Sequence, residues 1–230
     1  NYAIKEIEEP TSVKSKRVRY SIKSDLSKTG LLPLETLRKK DYIYCGVKAA
    51  NLGEINTKIK EAKVPDGFAI PFSQYHAFVE QYKIKDKVKE LQASDDFNTS
   101  TDVRRKELEK LRNYMESCYV DTLISNGWIR QWQNQLNSKG VFVRRSSNAE
   151  DLQNFSGAGL FTTVPNVKKE EDLVNAVKKV WASTYNFEAY ESRRRMNIPD
   201  SLIMMSVFVQ QATDSDISGV MITKDPYNAL

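Results

Sequence analysis

Cysteine and histidine are scarce in this chain. Two cysteines, Cys45 and Cys118, and a single histidine, His76, occur in 230 residues. The cysteines lie far apart and lack CxxC spacing, so they form no metal motif and point to a reducing, cytoplasmic setting. Long apolar runs are missing as well. None approaches the length of a membrane span, which leaves no membrane to expect as a partner. The first residue is Asn and no signal peptide is visible, so the chain reads as an excised piece of a longer protein.

A basic face on the folded body is also absent. The net charge is +5, yet residues 1–40 hold ten Lys or Arg against five Asp or Glu, and the remainder holds 25 of each. A nucleic-acid partner is therefore not expected, because such a partner requires cations gathered on the domain itself. The run from Lys14 to Arg19 is short and interrupted. Residues 1–30 read as a solvated linker or edge segment from a preceding region. The alternative is a non-catalytic module that binds a partner or a polyanion through this arm.

What is present suits a soluble globular protein: 40% hydrophobic and 28% charged residues. That length can bury a core as one large domain or two small lobes. Val64 to Pro71 reads as a turn and a short strand, and Ser73 as the cap of the next helix, with Tyr75, Phe78 and Val79 on one face. Residues 94–102 read as a polar loop. Leu108, Leu111, Met115 and Cys118 recur at helical spacing, and a further helix carries Ile124, Trp128, Ile129, Trp132 and Leu136. These rings make one stripe and belong to a core. Another amphipathic helix presents Leu173, Val177, Val180 and Trp181. Arg193-Arg194-Arg195 point in three directions on a helix and form no single clamp. Ile203 to Val209 is a buried strand, with Ile217 to Thr223 expected as its hairpin partner.

The chain is organised around residues 140–163. Val141 to Val143 form a short apolar strand that delivers Arg144 and Arg145. A polar loop and a small-residue turn, Ser156-Gly157-Ala158-Gly159, follow. Glycine lets a backbone approach a ligand closely with its N–H groups turned inward, and an Arg fork beside such a turn suits phosphate oxygens. Upstream, Lys48 follows a Gly turn and opens a stretch of helix formers, Ala49 to Lys60. A cation at a helix start opposes the dipole unless a bound phosphate offsets it.

The string Val-Arg-Arg-Ser-Ser-Asn-Ala-Glu-Asp-Leu from Val143, followed by Phe-Ser-Gly-Ala-Gly-Leu-Phe from Phe155, closely resembles the nucleotide-binding domain of the dikinase family. Phosphoenolpyruvate synthase, pyruvate phosphate dikinase and the glucan water dikinases belong to that family. Two more blocks are similar to it. One is Gly46 to Ile55 with Val64 to Pro71, and the other is Val209-Gln210 with Ser218 to Pro226. All three keep the family's order between residues 42 and 226.

The resemblance implies an α/β (α+β) fold, ATP-grasp-like and two-lobed. It sets the first lobe at 31–200 and an incomplete second, adenine-side lobe at 201–230. It implies ATP with Mg²⁺ as cofactors, with metal ligands beyond the Thr223-Lys224-Asp225-Pro226 block. Lys48, Arg144, Arg145, Ser156, Gly157, Ala158 and Gly159 would meet the phosphates, and Gln210 would lie at the adenine side. Phosphate would pass to a phosphohistidine and then to an acceptor such as pyruvate, on other domains of the parent chain. Water, a glucan or an antibiotic are acceptors of relatives. His76 lacks the carrier motif and reads as an ordinary helix residue. No catalytic residue is expected in this piece, which should be inactive alone. Two positions depart from the family: Val47 stands where Gly is usual, and Arg145 where Ser is usual. Val restricts the backbone, so a different turn is expected there.

Overall fold

A computed structural model describes residues 22–149, 151–152, 155–156, 162–214, 216–217 and 219. In chain order the elements are β1 (Leu32–Pro33), α1 (Tyr42–Lys58), β2 (Gly67–Ile70), α2 (Phe72–Gln81), α3 (Ile84–Gln92), α4 (Asp95–Thr99), α5 (Thr101–Ser117) and α6 (Thr122–Leu136). Then come β3 (Val141–Ser147), β4 (Asp151–Leu152), β5 (Phe155–Ser156), β6 (Val164–Val167), α7 (Glu170–Ala182), α8 (Phe187–Arg195) and β7 (Met205–Gln211). Five strands form an antiparallel sheet in the order β1-β2-β7-β3-β6, and β4 and β5 pair as a separate hairpin. Helices with an antiparallel sheet make the fold α+β.

Strand alternation sorts the sheet into two faces. Val141 and Val143 of β3, with Val207 and Val209 of β7, join the large core built on α2, α3, α5, α6 and α7. Trp181 of α7 lies at its centre, its ring 5.5 Å from Trp128 and 5.0 Å from Phe78. The expected stripes on α5, α6 and α7 pack there, with Ile129 half-buried and Ile124 exposed. The opposite face carries Ala69 and Phe208, which pack under α1 with Leu34, Leu37, Cys45, Ala49 and Ala50.

Several local expectations are corrected. Residues 94–102 are not a loop. Ser94 accepts from the Phe97 N–H and Ser100 from the Val103 N–H, so two hydroxyl caps start α4 and α5. Ser73 is not a cap: α2 begins after Pro71, and the Ser73 hydroxyl donates to the Lys28 carbonyl at 2.5 Å. That contact, the Asp25 N–H bond to the Ile43 carbonyl, and the packing of Leu26 hold residues 22–30, the last part of the expected linker or edge segment, against the body.

The boundary expected at residue 201 precedes β7. β7 is the central strand: residues 207–210 pair with β2 on one side, and 205–211 with β3 on the other. Both edges of β7 are taken along that length, and the hairpin partner expected for it is Ile217 to Thr223. Most of that segment lies outside the described residues.

Candidate functional site

The site starts from a break in a helix. Gly46 sits inside α1 with φ 79° and ψ 165°, and it is the one residue of α1 with non-helical angles. The positive φ is one that glycine adopts freely. The position is also tight: a Cβ on Gly46 would come within 2.3 Å of the Ser146 carbonyl oxygen. Val47 already has helical angles, so the freedom the turn needs is supplied one residue earlier, and Val is accommodated. The straight part of α1 therefore begins at Val47, with Lys48 in its first turn. A helix start leaves its first amide N–H groups without intrahelical partners. Here the Ala49 N–H is taken by the buried Ser146 hydroxyl at 3.0 Å.

Ser146 belongs to β3, which fixes the second half of the site. Arg144 lies two residues away on the same face, about 6.6 Å along the strand. Its Nη1 donates to the Gln210 side-chain oxygen at 2.7 Å. The Gln210 nitrogen in turn donates to the Pro65 carbonyl at 3.1 Å. Arg145 is separated from this group. Neighbouring strand residues face opposite ways, and Arg145, paired across from Val207, is buried on the side of the large core. The two guanidiniums thus form no single fork. The sheet brings together Arg144 and Gln210, and sets Arg145 apart.

A profile of the pyruvate phosphate dikinase AMP/ATP-binding domain matches residues 43–229. The chain belongs to that family. It is 34% identical over 202 residues to a probable phosphoenolpyruvate synthase of Staphylothermus marinus, covering 84% of this chain and 24% of that protein. It is 33% identical over 201 residues to the phosphoenolpyruvate synthase of Deinococcus radiodurans, with 84% and 25% covered. The Pyrococcus furiosus phosphoenolpyruvate synthase is 30% identical over 229 residues, with 84% and 28% covered. The chain therefore spans about a quarter of the length of these relatives.

Within this AMP/ATP-binding domain the three sequence blocks meet physically. Gly46 and Ala49 of the first touch Ser146 of the second, and Gln210 of the third bridges Pro65 and Arg144. Ser156 lies in β5, while Gly157, Ala158 and Gly159 lie outside the described residues.

Sequence reasoning missed the polar residues that hold the site in place. Besides Ser146, Asn148 accepts from the Met204 N–H at 2.9 Å and donates to the Leu202 carbonyl at 2.9 Å. A run of small polar residues directly after an apolar strand was the available signal. His76 lies on α2 with its Nδ1 3.9 Å from a Glu80 carboxylate oxygen, an ordinary helical neighbour pair. Among the described residues no group of three or more His, Cys, Asp or Glu could hold a metal ion, and no helix is long and apolar enough to cross a membrane.

Proposed function

We propose that this chain is the nucleotide-binding portion of a phosphoenolpyruvate synthase-like dikinase, with ATP on the sheet face that carries Arg144. One observation carries the reading: Ser146, on the sheet face that carries Arg144, accepts from the Ala49 N–H and so holds the start of the straight part of α1, where Lys48 stands, against that face. A helix N-terminus favours an anion, Lys48 supplies a point charge, and the Arg144 fork matches phosphate oxygens. Backbone N–H groups from Ser156 to Gly159 would complete the cover, while Arg145, on the opposite face of the sheet, would take no part in it. Gln210 borders the adenine side. Phosphoryl transfer depends mainly on such positioning and charge neutralisation.

The reading extends to an ATP-grasp-like pair of lobes. The first lobe runs through β7, and residues after it begin the second. Mg²⁺ typically bridges phosphate oxygens with few protein ligands. The described residues offer it no cluster, and no side chain is assigned to it. In the whole protein, a cytoplasmic enzyme on this reading, phosphate would pass to a histidine on another domain and then to an acceptor such as pyruvate.

The test is calorimetric titration of the chain with ATP, with and without Mg²⁺, beside a phosphate-release assay. Weak binding that depends little on Mg²⁺ is expected, with no turnover. Lys48→Ala or Arg144→Ala should each weaken it by about 1.5–3 kcal/mol, one charge-assisted contact. Equal binding by both variants would remove these side chains from the site. Sustained Mg²⁺-dependent hydrolysis, lost in Arg144→Ala, would show that the catalytic groups lie within this chain.

A further inference from the structure

We infer that Gln210 is a positioning residue for Arg144: its amide acts on a bound nucleotide through the guanidinium, without contacting the base. The inference rests on the nucleotide reading above. Gln210 is 3% exposed. Its oxygen accepts from Arg144 Nη1 at 2.7 Å, and its nitrogen donates to the Pro65 carbonyl at 3.1 Å. The direction of the amide is set by this pair of partners, since a guanidinium only donates and a carbonyl only accepts. Each end of the amide is thus engaged by the protein.

The far anchor is rigid. Pro65 stands two residues before β2, and the next residue, Asp66, is held three ways. Its carbonyl accepts from the Gln211 N–H at 2.8 Å, and its Oδ1 accepts from the Gly67 N–H at 2.7 Å and from Gln135 Nε2 at 2.8 Å. Arg144 itself is only partly buried. A long side chain with many rotamers loses entropy when it is fixed for a ligand. The Gln210 latch meets that cost in advance and leaves the other guanidinium N–H groups to face phosphate oxygens.

A base contact and a positioning role differ in which ligands feel the loss. A base contact is made equally to adenosine, AMP, ADP and ATP. A role through Arg144 appears only with the phosphates, and it vanishes when Arg144 is already gone. The experiment titrates the 230-residue chain with adenosine, AMP, ADP and ATP for the unaltered protein, Gln210→Met, Arg144→Ala and the double variant. Gln210→Asn, which keeps the amide but withdraws it by one methylene, replaces Gln210→Met if that variant melts early.

The expected result is about tenfold weaker ATP binding in Gln210→Met, the size of one lost charge-assisted bond. Adenosine binding should be unchanged, and the double variant should be no weaker than Arg144→Ala. Equal loss across all four ligands, or losses that add in the double variant, would overturn the positioning role while leaving ATP on this face. If the unaltered chain binds no ATP, the nucleotide reading fails and the positioning role falls with it.

Discussion

At the scale of single residues, Gly46 carries a demand no other residue type meets without strain. Its φ of 79° excludes a relaxed side chain, and a Cβ would lie 2.3 Å from a backbone oxygen of Ser146, an atom held in the sheet. Gly46→Ala is expected to cost on the order of 3 kcal/mol, in the range where backbone conflict dominates. Gly127, in α6 with nothing within 4 Å of its Cβ position, provides the contrast. There Gly→Ala should add roughly 0.5–1 kcal/mol through helix propensity. Urea unfolding of both variants reads the pair, and equal effects would refute the assignment of the turn to Gly46. The sequence pattern pointed to a Gly turn before Lys48 and expected Val47 to change it. The left-handed residue sits one position before Val47, where Ser146 closes over it, and no local pattern reports that contact.

At the scale of elements, helices were legible wherever apolar residues repeat over several turns. The stripes on α5, α6 and α7 face the core, apart from Ile124. Five-residue α4 was not legible, because it is polar and depends on the Ser94 cap and the single buried ring of Phe97. The strand character of Met205–Gln211 was plain from its apolar run, but its central place was not. Which strands flank a buried strand is set by tertiary pairing, which composition does not encode. The same holds for ion pairs. Arg193, one of three adjacent arginines that form no single clamp, is 1% exposed and paired with Asp200 at 2.8 Å. Asp200 also accepts from Gln92 and thereby ties α8 and α3 to the segment leading into β7. Asp200→Ala leaves a buried cation unpaired and should cost about 3–5 kcal/mol. Adding Arg193→Met should recover most of it. Failure of the double variant to recover would place the cost in lost packing and not in the stranded charge.

At the scale of the whole molecule, both faces of the sheet hold groups that must stay neutral to fold. Cys45 is fully buried in the small cluster under α1, its thiol pointing to the Asp41 carbonyl at 3.3 Å. Burial and the nearby Asp41 charge push its pKa up to about 12 from 9.0. Tyr75, in the large core, is raised by burial to about 12 from 10.0, and Tyr185 is raised in the same direction. In each case the unfolded chain gives up its proton at lower pH than the folded one. The stability these groups contribute is therefore complete below about pH 9, and it declines as pH rises through 12. Between pH 8 and 11, Cys45 and Tyr75 together should remove on the order of 4 kcal/mol. Both faces rest on the strands β2, β3 and β7, so the loss should appear as one cooperative transition, not as two. Urea midpoints at pH 8, 9.5 and 11 would measure it. Cys45→Ala, which removes the group that titrates first, should abolish most of the fall between pH 8 and 9.5 and roughly halve that from pH 10 to 11, where Tyr75 still titrates. A midpoint that does not move up to pH 11, or a Cys45→Ala profile parallel to the unaltered one, would mean that the thiol titrates alike in the folded and unfolded chains.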